Sequence, residues 1–304
     1  MSKKILITGS NGLLGQKLVY ALLKRSDVQV IATSSGPNRL TNKKGYVYES
    51  LDITQKHEVE SVIKNYKPDT IINTAAMTNV DACETKREEC WAINVTAVEY
   101  FVNAIAAFSP QTHFIHLSTD FIFDGEKGTV YVETDKANPL SHYALSKYES
   151  ELVVQRSSVN WAIARTIIVY GIVDNMSRSN IVLWAKDALT KGQKINVVDD
   201  QFRSPTLAED LADGCILIAD KNAKGIFHLS GPDYMSILEL VYRVADFFKL
   251  DKSVVTPSKS NTLNQPAKRP PRTGFDISKA KRELGYMPHS FEEGLKVLDD
   301  QLKR

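Results

Sequence analysis

The residues Thr8-Gly9-Ser10-Asn11-Gly12-Leu13-Leu14-Gly15 constrain this chain more than any others. They follow a short apolar run over 4–8 and open a segment in which Leu14, Leu18, Ala21 and Leu22 recur at helical spacing. A strand passing through closely spaced glycines into a helix is the arrangement that holds a diphosphate. The glycines let the backbone turn tightly, approach the ligand and pack the helix on the sheet, while the helix N-terminus offers free N–H groups. Gly9, Ser10, Asn11, Gly12, Leu13, Leu14 and Gly15 are therefore candidate dinucleotide contacts. A turn that merely contains glycines is the competing reading, and the βαβ context weakens it.

That context extends through the first half. Strands predicted over 28–33, 46–49, 70–73, 112–117 and 161–165 alternate with helices over 55–65, 88–107 and 141–155. Alternation of this kind gives right-handed crossovers, hence an α/β fold with a Rossmann-type, doubly wound parallel sheet. After residue 170 the rhythm changes. Helices are predicted over 181–190, 207–219 and 236–248, with short strands over 194–198 and 226–229. The stretch 255–272 is rich in Pro, Ser, Asn and Lys and reads as a long loop. The expected organisation is a dinucleotide-binding domain over 1–170, to which later segments return, and a smaller, mostly helical substrate lobe over 171–304.

Composition excludes several classes. Lys and Arg number 38 against 36 Asp and Glu, a net charge of +2, too balanced for a broad nucleic-acid surface. Cys83, Cys90 and Cys215 fit neither a disulfide framework nor a zinc site, so a reducing, cytoplasmic setting is expected. The apolar run Ile5-Leu6-Ile7 is too short for a signal peptide, and no run is expected to reach the ~18–20 residues of a membrane span. His57, His113, His116, His142, His228 and His289 lack metal-ligand spacing, so no metal is predicted. His116 reads as a satisfied core histidine and His142 as a surface residue at a helix start.

Tyr143 and Lys147 stand one helical turn apart, where the ammonium is expected to lower the phenol's pKa toward a range useful for proton transfer. Tyr20 and Lys24 share that spacing but sit along the first helix, away from the glycine turn, and read as ordinary helix surface and core. Tyr143 instead follows Ser141, a credible helix start, and comes soon after Ser118-Thr119-Asp120 at the carboxyl end of a predicted strand. Ligands of open α/β sheets bind outside those ends. Thr119, Tyr143 and Lys147 are the candidate catalytic groups. The second strand ends in Thr33-Ser34-Ser35 without the carboxylate that receives an NAD ribose; Ser34 and Arg39 suit a 2′-phosphate, so NADPH is expected over NADH. The basic run Lys268-Arg269-Pro270-Pro271-Arg272 is either a solvated loop or a contact for an anionic diphosphate. Asp81 and Glu84 read as surface charge.

The Thr-Gly-x-x-Gly-x-x-Gly spacing resembles the fingerprint of the extended short-chain dehydrogenase/reductase family. The resemblance implies that Asp52 and Ile53 meet the adenine and that Ala75 and Ala76 line the cofactor. For Asp52 a helix cap is the other role, since a helix is expected from Thr54. Further stretches resemble the dTDP-4-dehydrorhamnose reductase branch of that family: 73–81, Ser118-Thr119-Asp120-Phe121-Ile122-Phe123, 143–147, Arg165-Thr166, Asp200-Gln201-Phe202-Arg203-Ser204-Pro205-Thr206, and Arg269-Pro270 with Phe275-Asp276. The branch implies NADP-dependent reduction of the 4-keto group of a nucleotide-linked deoxysugar. It assigns Thr119, Tyr143 and Lys147 to catalysis and Met77, Asp120, Phe121, Gln201 and Arg269 to the sugar nucleotide. Phe121 stands where the branch often has tyrosine and Ile168 where it has tryptophan, which leaves the hexose open. Lys17 replaces a glutamate that binds a dimer-bridging metal in some members; a homodimer of another kind stays open. Two other readings come with the family: a non-catalytic, NADP-binding regulatory subunit like that of methionine adenosyltransferase, and a sugar-nucleotide epimerase or dehydratase. The last needs an added acid–base pair, of which Asp120-Phe121 supplies half.

Overall fold

The first strand, β1 (Lys3–Thr8), is buried from Ile5 onward on both faces, as an unbroken Ile-Leu-Ile run requires. A computed structural model describes residues 2–175, 179–262 and 265–303. From β1 the chain enters α1 (Leu13–Leu22), then β2 (Val28–Ser34), β3 (Val47–Ser50), α2 (Lys56–Tyr66) and β4 (Thr70–Asn73). Two short helices, α3 (Val80–Thr85) and α4 (Arg87–Trp91), lead through a π-helical turn (Ala92–Thr96) into α5 (Ala97–Phe108). β5 (His113–Thr119), α6 (His142–Arg156), β6 (Asn160–Thr166) and the two-residue β7 (Val169–Tyr170) complete the first half. The second half holds α7 (Ile181–Thr190), β8 (Ile195–Val198), β9 (Phe202–Arg203), β10 (Thr206–Leu207), α8 (Ala208–Lys221) and β11 (Gly225–His228). It ends with β12 (Met235–Ser236), α9 (Ile237–Phe248), β13 (Val255–Ser258), β14 (Arg272–Thr273), α10 (Ser278–Leu284) and α11 (Phe291–Leu302).

Seven strands form one parallel sheet in the order β11-β6-β5-β4-β1-β2-β3. One face packs Leu18 and Leu22 of α1 against Leu211, Cys215 and Ile218 of α8. The other receives Val59 and Ile63 of α2 with Phe101 and Ile105 of α5. The expected Rossmann-like, doubly wound architecture is therefore present, and β11 is the late segment that returns to it. Beyond the sheet, α7, α9 and α11 close on Val182, Ala185, Leu240, Val244 and Leu295.

Three expectations change. The helix expected over 88–107 is one continuous path with a π-turn inside it, which admits Asn94 into the core. The segment Arg87–Phe108 is, at 22 residues, long and apolar enough to cross a membrane, contrary to the expectation; its apolar side chains lie buried against the sheet, so in this fold it is a core helix. The loop expected over 255–272 opens with β13, which pairs in parallel with β8, because Val255 finds a buried place beside Ile195. Residues 263–264 of that loop lie outside the described residues. Where the chain leaves the sheet, Ile168 has φ +31°, a region that β-branched side chains rarely enter. Thr206 brackets it, donating from its backbone N to the Ile168 carbonyl at 3.1 Å and from its hydroxyl to that of Ile167 at 2.7 Å.

The core also encloses imidazoles. His113, His116 and His228 are 1–2% exposed or less, and burial pushes all three below the usual 6.5, His113 to about 4. Such groups bind fewer protons folded than unfolded. Their stabilisation is complete above pH 6.5 and drains as pH falls below it, at up to about 1.4 kcal/mol per pH unit for each ring. Urea unfolding at pH 7 and pH 5 should show a clear drop in midpoint at the lower pH; equal midpoints would refute the assignment.

Candidate active site

The glycine turn is built by close approach. Gly9 has φ +63°, and a Cβ there would lie 2.9 Å from the backbone N of Ala75. A Cβ on Gly15 would stand 2.3 Å from the Gly9 carbonyl oxygen, so α1 can seat on the turn only with glycine at that place. The Thr8 hydroxyl donates to Asn73 Oδ1 at 2.6 Å and accepts from the Ala75 N–H at 3.2 Å. This ties the 73–76 loop, with Ala75 and Ala76, to the edge of the turn. α1 begins at Gly12 without a side-chain cap and has no acid in its first turn, so its first N–H groups face an anion unopposed. The Ser10 hydroxyl is buried and finds no partner among the described residues, which is what a diphosphate contact in reserve looks like.

Asn11 extends the turn sideways. Its amide donates to the Pro37 carbonyl at 2.9 Å and accepts from the Arg39 backbone N–H at 2.8 Å. The 34–39 segment after β2 is thus fixed beside the glycine turn, with half-buried Ser34 at its base and Arg39 exposed. Leu13 and Leu14 are half-buried at the head of α1. Asp52 accepts at one oxygen from the Thr54 backbone at 2.9 Å and hydroxyl at 2.7 Å, a turn just ahead of α2. Its neighbour Ile53 packs on the core of that face.

On the other side of the sheet's carboxyl edge, Ser141 caps α6 by accepting from the Ala144 N–H at 3.3 Å. Tyr143, Lys147 and Glu151 then share one face of the helix, all buried. The Tyr143 phenol stands beside the Thr119 hydroxyl at the end of β5. Burial pushes the phenol's pKa up, and the Thr119 contact only partly offsets this. The expectation that Lys147 would pull it down is therefore corrected. Lys147 Nζ donates to the Leu117 carbonyl at 2.7 Å and lies 3.4 Å from His116 Nε2, and burial lowers its own pKa to about 8. A phenol that stays protonated at neutral pH is chemically a proton donor.

Met77 and Phe121 pack with Cys83 and Cys90 around Tyr143, and the Phe121 ring meets the phenol edge-on at 6.1 Å. Asp120 turns inward. It accepts from the Thr119 hydroxyl at 3.1 Å and from Thr273, with Arg203 Nε 3.6 Å away. Burial raises its pKa against the pull of Arg203. Gln201 is buried just before β9, its carbonyl accepting from the Ile237 N–H at 2.9 Å. Arg269 lies on the strap that crosses to α3, paired with Asp81 at 2.7 Å. Asp81 is thus a surface charge that also anchors the strap, while Glu84 is more covered and accepts from the His142 N–H at 2.6 Å. His142 opens α6 at the surface, as expected, half-buried with Nε2 3.1 Å from the Arg87 carbonyl.

Two groups escaped the sequence reading. Asn94, in the π-turn, accepts from the Met77 N–H at 2.8 Å and donates to the Ser146 hydroxyl at 2.9 Å, joining the 73–77 loop to α6. A lone asparagine inside an apolar helical run was its only signal. Arg203 lies 2% exposed beneath the strap, donating to the carbonyls of Pro270 at 2.6 Å and Pro271 at 3.1 Å while covering the Phe121 ring.

The family model described as RmlD substrate binding domain matches residues 3–304. The chain belongs to this family. It is 32% identical to a dTDP-4-dehydrorhamnose reductase of Aggregatibacter actinomycetemcomitans, over 96% of this chain and 97% of that protein. It is also 29% identical to the methionine adenosyltransferase 2 subunit beta of Xenopus tropicalis, over 92% of this chain and 82% of that protein. A crystal structure of dTDP-4-dehydrorhamnose reductase from Bacillus anthracis in complex with NADP superposes with a TM-score of 0.84 at 26% identity, covering 99% of this chain and 100% of that one.

The glycine geometry yields a graded expectation. Gly15→Ala forces Cβ into the Gly9 carbonyl and should lower stability by about 1–3 kcal/mol, as overpacking does. Gly12→Ala meets the same oxygen at 3.2 Å and should cost clearly less. Thermal melts of both variants compare the two; equal losses would contradict the packing described.

Proposed function

We propose that the chain is an NADP-dependent oxidoreductase that reduces the 4-keto group of a nucleotide-linked deoxysugar, with dTDP-4-dehydrorhamnose as substrate. One pairing of observations carries the reading: a buried phenol stands beside the hydroxyl at the end of β5, in a chain 32% identical over its length to a dTDP-4-dehydrorhamnose reductase. The buried, unpartnered Ser10 hydroxyl and the uncapped start of α1 fit the diphosphate of the cofactor. NADPH, when bound, supplies the hydride. The chain supplies the rest.

Tyr143 delivers its proton to the oxygen of the reduced carbonyl, and Thr119 hydrogen-bonds that oxygen beside it. Lys147 holds the nicotinamide ribose with the hydrogens that it does not give to the Leu117 carbonyl. Gly9, Ser10, Asn11, Gly12, Leu13, Leu14 and Gly15 receive the diphosphate, Asp52, Ile53, Ala75 and Ala76 flank the adenine and nicotinamide halves, and Ser34 with Arg39 faces the 2′-phosphate. Met77, Phe121, Gln201 and Arg269 contact the sugar nucleotide, and Asp120 orients Thr119 from below. Residues 1–170 form the cofactor domain and 171–304 mainly the substrate lobe. The enzyme works in the cytoplasm, as a monomer or homodimer.

Tyr143→Phe keeps the ring and deletes the acidic hydrogen. Single-turnover NADPH oxidation with dTDP-4-keto sugars should fall by about 10²–10⁴-fold while NADPH affinity holds. Thr119→Ala should lose less, and Lys147→Met should weaken both rate and cofactor binding. A parent that binds NADPH yet reduces nothing on the panel would favour the regulatory role instead. Activity should also decline as pH rises through about 8, where Lys147 loses its proton.

Cofactor choice has its own test. With no carboxylate at the end of β2, NADPH should bind more tightly than NADH, and Arg39→Ala should narrow the difference in a fluorescence titration. A parent that prefers NADH would overturn this part of the reading.

A further inference from the structure

Behind Lys147 runs a polar chain that the chemistry above leaves unused. It starts at Thr8, where β1 meets the glycine turn, and crosses β4 and β5 into α6. The Thr8 hydroxyl donates to Asn73 Oδ1 at 2.6 Å. The other end of that amide, Nδ2, lies 3.1 Å from His116 Nδ1, and His116 Nε2 lies 2.9 Å from the Ser150 hydroxyl. Ser150 in turn donates to the Lys147 carbonyl at 2.7 Å. Every side chain in the series is at least nine-tenths buried.

The proton positions follow from both ends. Asn73 Oδ1 is occupied by the Thr8 hydrogen, so its amide nitrogen points at His116 and must donate, which makes Nδ1 an acceptor. The Ser150 hydrogen is spent on a carbonyl, so its oxygen must accept, which makes Nε2 a donor. Both requirements name the same neutral tautomer, with the proton on Nε2. Burial and the nearby ammonium both keep a second proton off the ring.

This matters for the amine 3.4 Å away. A nitrogen that carries hydrogen cannot accept one, so Lys147 gives a single hydrogen to the protein, at the Leu117 carbonyl. In the opposite tautomer Nε2 would accept, and the ammonium would be drawn inward. Glu151, one turn further along α6, is turned to Arg165, which donates to its two oxygens at 3.0 and 2.7 Å, and among the described residues no ion pair joins it to Lys147.

We propose that His116 is a positioning residue for Lys147: fixed as the Nε2–H tautomer by Thr8 and Asn73, it denies the ammonium an inward acceptor and leaves two hydrogens for ligands in the cleft. The consequence for rate rests on the reductase reading; the tautomer does not.

The test therefore has two arms. Nitrogen-15 NMR of the imidazoles at pH 7 should show His116 neutral and protonated at Nε2 in the parent and in Thr8→Ser. Thr8→Val removes the donor that orients Asn73; with the amide turned over and the Ser150 hydrogen moved from the Lys147 carbonyl to Nε2, His116 should take up the Nδ1–H form in this variant. In the second arm, Thr8→Val and His116→Phe should each slow single-turnover NADPH oxidation by about tenfold or more, as misplaced groups do. His116→Gln, which restores an N–H facing Ser150, should recover most of the loss. In a Lys147→Met background Thr8→Val should cost nothing further, because its effect passes through that amine. A parent His116 protonated at Nδ1, or equal losses from Thr8→Val in both backgrounds, would overturn the proposal. A parent that reduces no sugar nucleotide defeats the reductase reading, while the NMR arm still decides the tautomer.

Discussion

The guanidinium of Arg165 holds the functional edge of this molecule together. It grips Glu151 of α6 through two buried hydrogen bonds, reaches the Glu133 carbonyl at 3.2 Å, and stacks over Phe123. Removing one partner from such a pair leaves an uncompensated buried charge and typically costs about 3–5 kcal/mol. Because Glu151 lies one turn beyond Lys147 and two beyond Tyr143, the same clamp sets the depth and rotation of the helix that carries both. The phenol reaches Thr119 because β6 fixes where α6 can lie.

The clamp also has an electrostatic effect. Burial outweighs the attraction that the clamped Glu151 carboxylate still exerts on Lys147, and its pKa falls to about 8. The phenol beside it is pushed the other way by the same burial. Two groups on one helix face are thereby set near and above neutrality. Asp120 and Arg203 form a second buried ion pair, which couples the strap at 270–273 to the end of β5.

Much of this was readable before any coordinates. Parallel strands buried on both faces leave unbroken apolar runs, so β1, β2, β4, β5 and β6 announce themselves. Helix starts at Ser141, Asn180 and Ser236 carry their capping side chains in sequence. The glycine turn and the Tyr143–Lys147 spacing were legible because backbone geometry and helical periodicity are local constraints. What escaped is tertiary. The pairs β9–β12 and β9–β14 are two residues long and leave no periodic trace. The inward turn of Asp120, the π-turn around Asn94 and the direction of Lys147 depend on partners distant in sequence. The pKa of Tyr143 went opposite to expectation for that reason: spacing reveals a neighbouring lysine, but not that its amine points away, nor how deeply the phenol is buried.

The return of β11 to the edge of β6 has a consequence for the birth of the protein. A chain growing from its N-terminus finishes β6 at Thr166, yet the strand that covers it begins only at Gly225. The helix α8, which shields one face of the same sheet, is likewise still to be made. During that interval the nascent sheet presents an open edge of unpaired N–H and C=O groups, the surface on which strands of other chains add. Synthesis of the second half is therefore also the completion of the first. A ribosome pausing between those points would hold out a half-built sheet at its most adhesive.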